Sequence, residues 1–555
     1  MNVVIGTTIA EKTLPEKIIK TLLSRRKITD AEIFLRPPHP LTFSLKTLGF
    51  EKELMILLSH LQLCKENKKN VVVYTDYDAD GITGGSVLWE TLHILGFSVF
   101  PYVPHRQKEG YGFSIKGIDA VIEKYHPGLI ISVDHGISAR KQIQYASDKS
   151  TPVIITDHHT KPELLPDSAI AIIHCPLVSG SGLAYITALD LWHTLDPKNE
   201  TLKTLFTQDF LALAALGTVA DLVPLTEYSR SIAKYGLQAF SHSSKPGIKE
   251  LLSVAGLTNS EISTYNAGFA LAPRINAVGR LSHAIEAMRM LCTKDGIKAK
   301  QLAVQAQNYN TSRQKMVDFA VEKVFIAIEK TEIPKLILQK DKDWNEGIIG
   351  LISSKITEKF NRPSIVMTKT EKGWKGSARS VKGFDIITFL RSLKLLEHVG
   401  GHPQAAGFSI NNEQLSSFER KIDKHMKDVP LPREKDLLVD ISLPLSCISE
   451  KLADDIQLLA PFGIGNPTPV FQSAVKILFV KSMGKKQEHI KFIAQDLVER
   501  TKQIECVYFS PIEKQKEMIQ VGITLSIVYT IEARYWQGIK KMQGNVKNVF
   551  NIGLI

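Results

Sequence analysis

"VVVYTDYDADGITGG" (residues 71–85) decides the reading of this chain. A run of β-branched and aromatic residues leads straight into three acids at alternate positions, Asp76, Asp78 and Asp80, and then into glycines. The apolar run is of the kind that forms a fully buried strand of a parallel sheet. The three carboxylates would repel one another if ionised and left alone, so the stretch calls for a positive partner.

The same arrangement recurs twice. "GLIISV" (128–133) precedes Asp134 in "VDHG", and "TPVIIT" (151–156) precedes Asp157, His158 and His159. Amphipathic segments such as "SVLWETLHILGF" separate the apolar runs, which predicts a parallel sheet covered on both faces. In open α/β sheets the ligand crevice lies at the carboxyl ends of the strands, so these acids and imidazoles should converge there. "ALGTVADLVPL" adds Asp221 in a loop after an apolar helix. Clustered carboxylates are tolerated when cations neutralise them. Oxygen ligands with one or two imidazoles suit Mn²⁺ or Mg²⁺ better than structural zinc, which favours thiolates. The acids outnumber what one ion needs. Two ions about 3.5–4 Å apart, sharing a bridging carboxylate, suit phosphoester hydrolysis.

The rest of the chain sets limits. Its 555 residues exceed what one hydrophobic core supports, so several domains are expected. An apolar fraction of 44% and a charged fraction of 23% are those of a globular protein. No window offers the roughly 18 apolar residues of a membrane span, and "MNVVIGTTIAEKTLPEK" does not read as a signal peptide. Cys64, Cys175, Cys292, Cys447 and Cys506 lack metal-type spacing, which suits a reducing, cytoplasmic location. The net charge of +12 points to a polyanionic partner.

Four segments emerge: 1–245, a parallel α/β domain with an N-terminal extension; 246–332, a helical connector; 333–430, a second α/β unit; and 433–555, a strand-rich barrel. The run "IKAKQLAVQAQNYNTSRQKMVDFAVEKVFIAIEK" has helical period and no Gly or Pro, which predicts one long connecting helix. "AVKILFV", "HIKFIAQ" and "GITLSIVYTIEARYW" supply the barrel strands.

"DYDADGITG", "SVDHG", "TDHH" and "LGTVADLVPL" together resemble the DHH phosphoesterase superfamily, and more closely its RecJ-type single-stranded-DNA exonucleases. The resemblance continues through "APRINAVGRL", "WNEGIIGLISSKI", "KGSARSVKGFDI", "HVGGHPQAAGF" and "LAPFGIGNPTPVF", ending at Phe471. It implies a DHH domain, a DHH-associated domain and an oligonucleotide-binding (OB) barrel. It implies Asp76, Asp78, Asp80, Asp134, His158 and Asp221 as ligands of two divalent ions, Mn²⁺ or Mg²⁺, with Asp134 as the bridge. His159 would lie beside the scissile phosphate and Asp157 would orient the histidines. His402, Ser377 and Arg379 would meet substrate from the second α/β unit, and Arg106 and Arg280 would grip a terminal phosphate.

In the barrel, lysines interleave with aromatics around Lys485 and Lys486 and again at Tyr535 and Trp536, a pattern suited to stacking single-stranded bases. Residues 433–555 hold 16 basic and 13 acidic residues, so binding there must rest on local patches. The expected activity is removal of nucleotides from the 5′ end of single-stranded DNA in repair and recombination, by a monomer. Single-strand-binding protein and recombination helicases are the partners that the resemblance implies. The alternatives are a DHH phosphodiesterase for short oligonucleotides or dinucleotides, for which the barrel would be superfluous, and a non-catalytic DNA-binding scaffold, in which ligand positions would be replaced. A pyrophosphatase would leave the residues beyond about 430 unexplained. Two departures from the family pattern stand out: Asn345, where relatives usually carry histidine, and the compressed stretch "HCPLVSGSGLAYITALDLW" (174–192).

Overall fold

The computed structural model describes residues 2–106, 108–330, 332–427, 429–431, 436–536 and 539–552, without the side chains of residues 2 and 534–540. Among the described residues the strands form three sheets. By contact, the chain divides into two units. One holds residues 273–287 and 297–435, and the other holds most of the remainder.

In the larger unit, β1 (Asn2–Thr8) comes first, followed by β2 (Asn70–Thr75), β3 (Val99–Tyr102), β4 (Pro127–Val133), β5 (Val153–Asp157) and β6 (Ala171–His174). The last five form an all-parallel sheet in the order β3-β2-β4-β5-β6. Val71, Val72, Val73 and Tyr74 are fully buried, as a strand covered on both faces requires. From β2 the chain crosses to β3 on one side and then to β4 on the other. The crevice at this change of direction therefore opens between β2 and β4, where the acids stand.

The smaller unit contains β7 (Ile337–Lys340), β8 (Ser364–Thr370), β9 (Gly373–Arg379), β10 (His398–His402) and β11 (Ala405–Ile410), in the order β10-β11-β9-β8-β7. The helix Gly296–Glu329 runs 34 residues, in line with the uninterrupted helical period of its sequence.

Back in the larger unit, β12 (Asp436–Ser442), β13 (Phe471–Met483), β14 (His489–Asp496), β15 (Gln503–Tyr508), β16 (Thr524–Trp536) and β17 (Ile539–Asn551) follow. The sheet β13-β14-β15-β17-β16 closes on itself through the β13–β16 pairing, which makes a five-stranded barrel. The N-terminal extension is distributed differently from the 1–245 grouping. β1 pairs in parallel with β12, and Ile18, Leu22 and Phe34 join the barrel's hydrophobic core. An alternating half-buried strand reveals its period in sequence but not its partner, which here lies more than 430 residues away. The buried Arg230 secures this junction, donating to the carbonyls of Phe34 (2.7 Å) and Ala460 (2.9 Å). No helix among the described residues is long and apolar enough to cross a membrane.

Candidate metal centre

Each acid reaches the crevice for a local reason. After β2 the chain turns into the helix Ala79–Ile94, and Asp78 caps it by accepting from the backbone N–H groups of Asp80 (3.0 Å) and Gly81 (3.1 Å). Asp80 occupies the first turn of that helix and is buried. Asp134 follows β4 with a φ of 69°, a left-handed conformation that non-glycine residues rarely adopt and that the surrounding structure must enforce. Asp221 ends the helix Asp209–Ala220, which is buried as far as Val219.

These groups converge. His158 Nε2 lies 3.1 Å from Asp134 Oδ1, 3.4 Å from Asp221 Oδ2 and 3.8 Å from Asp80 Oδ2. Three sets of potential ligand atoms each fall within 4.8 Å of one another: Asp76, Asp78 and Asp134; Asp80, His158 and Asp221; Asp134, His158 and His159. Asp134 and His158 each belong to two sets. Asp76 Oδ1, Asp134 Oδ1 and His158 Nε2 are buried without a hydrogen-bond partner, a costly state for polar atoms that a cation would relieve. The donor set therefore fits divalent metal: oxygen-rich, with imidazole, and aimed inward.

The electrostatics agree with this. Burial, reinforced by Asp78, holds Asp76 well above the usual carboxylate range. Asp134 is raised likewise by burial and then by Asp80, Asp78 and Asp76. Asp221 is pushed up to about 8 by burial and then by Asp80. Burial draws His158 below its ordinary value, which keeps a lone pair available.

Asp157 does something different. Its Oδ1 accepts from His159 Nδ1 (2.8 Å) and from the N–H groups of His158 (2.7 Å) and His159 (3.1 Å), while its Oδ2 accepts from Ile137 N–H (2.8 Å). Burial alone would raise this carboxyl, but the bonds from His159 and the backbone outweigh it and hold Asp157 well below the usual range. Burial likewise opposes the charge on His159, yet its bond to Asp157 pushes it up to about 9. Because a carboxylate only accepts, Nδ1 of His159 carries a proton, and the raised pKa keeps Nε2 protonated too at neutral pH, turned away from Asp157.

Arg106 lies 4.9 Å above the Tyr77 ring, and its charge favours ionisation of Asp76, so it belongs to this site. In the smaller unit, Ser377 and Arg379 both lie on β9. Arg379 Nε donates to Ser354 Oγ (3.1 Å) and Nη1 to the Ala378 carbonyl (2.9 Å). The helix Ile349–Phe360 begins beside them, with Gly350 close to both side chains. Arg280 donates to the Gly347 carbonyl (2.8 Å), so part of its guanidinium serves backbone. His402 is exposed at the end of β10. Asn345 accepts from Gly347 N–H (2.7 Å) and closes a turn, a local role for the residue that departs from the family pattern. The side chains of Tyr535 and Trp536 lie outside the described residues.

Four neighbours escaped the sequence reading. Tyr111 Oη lies 3.2 Å from His159 Nε2, and His174 Nε2 donates to the His159 carbonyl (2.6 Å). The N–H groups of Gly180 and Ser181 bind Asp80. Tyr111 follows Arg106 in "RQKEGY" (106–111), but nothing in its spacing singles it out.

Parallel strands ending in acid, acid and "DHH" around one pocket define the class: residues 70–218 match the N-terminal domain of the DHH family, and residues 332–428 match the DHHA1 domain. Residues 439–548 match the RecJ OB domain. The single-stranded-DNA-specific exonuclease RecJ of Haemophilus influenzae is 30% identical over 80% of this chain and 81% of its own length. That of Bacillus subtilis is 34% identical over 87% of this chain, which spans 61% of the Bacillus protein's length. A crystal structure of RecJ with Mn²⁺ from Thermus thermophilus superposes with a TM-score of 0.78, covering 98% of this chain and 80% of the other at 24% identity. The chain belongs to the RecJ family.

Proposed function

We propose that this protein is a metal-dependent exonuclease that hydrolyses single-stranded DNA from its 5′ end. The observation that carries the reading is the pocket in which Asp134 and His158 each belong to two ligand sets while three buried polar atoms lack a hydrogen-bond partner. Asp76, Asp78, Asp80, Asp134, His158 and Asp221 would hold the metal, a pair of ions with Asp134 shared. When bound, Mn²⁺ or Mg²⁺ supplies Lewis acidity toward the phosphodiester. Mn²⁺ is also the ion named for the Thermus structural relative.

The chain's own residues set direction and specificity. Asp157 orients His159 and favours its protonated form, leaving Nε2–H to donate to the scissile phosphate once Tyr111 yields its place. Arg379 and Ser377 are suited to a terminal phosphate, which carries more charge than an internal diester, and Arg106 and Arg280 would assist. The barrel, matched to the RecJ OB domain, would hold the strand through lysines and stacking faces. Single-strand-binding protein and recombination helicases as partners, and the cytoplasm as location, are part of this proposal on the sequence resemblance alone.

The test is incubation of 5′- and 3′-labelled single strands, duplex DNA and dinucleotides with Mn²⁺, Mg²⁺ or EDTA. Metal-dependent release of the 5′ label from single strands ahead of the 3′ label is expected. Preferred cleavage of dinucleotides would support the short-substrate alternative instead.

A further inference from the structure

The candidate ligand Asp80 is held by a fork made of backbone. Its Oδ2 accepts from Gly180 N–H (2.6 Å) and its Oδ1 from Ser181 N–H (3.0 Å). These are the first two residues of the helix Gly180–Leu195, whose opening N–H groups have no partner inside the helix. Ser179 caps the same helix, accepting from Gly182 N–H (3.1 Å), so the next donor is satisfied separately. Both oxygens of Asp80 are thereby fixed in plane at the positive end of a helix dipole.

The approach is possible only because two positions lack a side chain. A Cβ on Gly180 would stand 2.4 Å from Asp134 Oδ1. A Cβ on Gly217, in the helix Asp209–Ala220, would stand 2.4 Å from Asp80 Oδ1 and 2.2 Å from Ser181 Oγ. Neither glycine has a positive φ, so backbone conformation does not demand glycine at either place. What demands it is the space taken by the acids.

We propose that Gly180 and Gly217 are positioning residues for the metal centre: they let the Gly180–Ser181 backbone fork fix Asp80 while keeping Asp134 free to face the ion. This rests on the metal reading above. It also gives the compressed 174–192 stretch a role, since "SGSG" supplies cap, fork and clearance together.

The experiment uses the full chain and Mn²⁺ alone, with calorimetric titration and thermal melts in EDTA. Alanine favours a helix over glycine, which offsets part of the crowding of its Cβ against Asp134, so the metal-free melting temperature of Gly180→Ala should fall only modestly. The proposal expects Gly180→Ala, and Gly217→Ala where it folds, to weaken Mn²⁺ binding at least tenfold while binding of single-stranded DNA in EDTA persists. Gly182→Ala serves as control, because the atoms nearest its Cβ would belong to Ile232, Val178 and Ser179 and not to an acid of the pocket. It should bind Mn²⁺ like the wild type. Wild-type Mn²⁺ affinity in Gly180→Ala overturns the inference alone. A large fall in melting temperature in EDTA with loss of DNA binding overturns it in favour of a plain structural role. A wild-type chain that takes up no Mn²⁺ overturns the metal reading and the inference together.

Discussion

Replacing Asp157 by asparagine tests how the chain prepares His159. Asp157 accepts four hydrogen bonds through two oxygens. Asparagine keeps one of those oxygens, so its amide must point an N–H₂ at Ile137 N–H or at the three donors from His158 and His159. Either way a donor faces a donor. Losing a bond to a charged partner costs about 1.5–3 kcal/mol. The histidine gives an independent figure. His159 is pushed up to about 9 from its ordinary 6.5, and at 1.36 kcal/mol per pKa unit this is about 3 kcal/mol of interaction with its surroundings, chiefly Asp157. The two figures agree.

Asp157→Asn should therefore slow single-turnover cleavage of a labelled single strand about 10- to 100-fold at saturating Mn²⁺. In the metal-free chain, the His159 resonance followed by NMR should titrate closer to its ordinary value. A raised histidine pKa stabilises the fold fully below the unfolded value and loses that contribution as pH rises through the folded one. The wild type should thus lose its advantage over Asp157→Asn between pH 6.5 and about 9. A variant that cleaves within twofold of wild type, with His159 still titrating near 9, would refute the reasoning.

Arg379→Ala should nearly erase the preference for 5′-phosphorylated over 5′-hydroxyl ends, and Arg379→Lys should weaken it, because lysine lacks the planar fork; equal losses on both ends would remove the end-recognition role. Asp190 is buried and pushed up to about 6, so its carboxyl should cost the metal-free fold about 3 kcal/mol as pH rises from 4 to 6. Asp190→Asn should lower the slope of melts in EDTA by that share and leave the part due to Asp76, Asp134 and Asp221, and an unchanged slope would contradict the assignment. Glu90 pairs with Lys245, and both are buried. Glu90→Gln should therefore destabilise by about 3–5 kcal/mol by leaving a buried charge unpaired, whereas a change under 1 kcal/mol in denaturant titrations would show the pair to be dispensable.

The metal pocket was legible because its logic is local. β-branched runs announce the strands, and the acids follow within a few residues, at Asp76, Asp134 and Asp157. The sheet rule then says where they meet. The long helix was legible for the same reason, since Gly296–Glu329 has period without interruption. What stayed hidden depends on distance along the chain. Nothing near Gly180 says that its N–H will meet Asp80, a hundred residues earlier. Nothing in "NVVIGTT" names β12 as its partner, and Arg230 reads as an ordinary surface cation although it lies buried among the carbonyls of Phe34 and Ala460. Asn345 reads as a lost functional residue until its turn with Gly347 is seen.

The central claim is that the Asp134–His158 pocket holds the metal that cleaves single strands from the 5′ end. Its most direct test follows a 5′-labelled single strand over time with Mn²⁺, comparing wild type with Asp134→Ala. The account predicts early release of labelled mononucleotide by the wild type and none by Asp134→Ala, whose melting temperature in EDTA should not fall. Near-normal release by Asp134→Ala, or first release of internal fragments by the wild type, would contradict it.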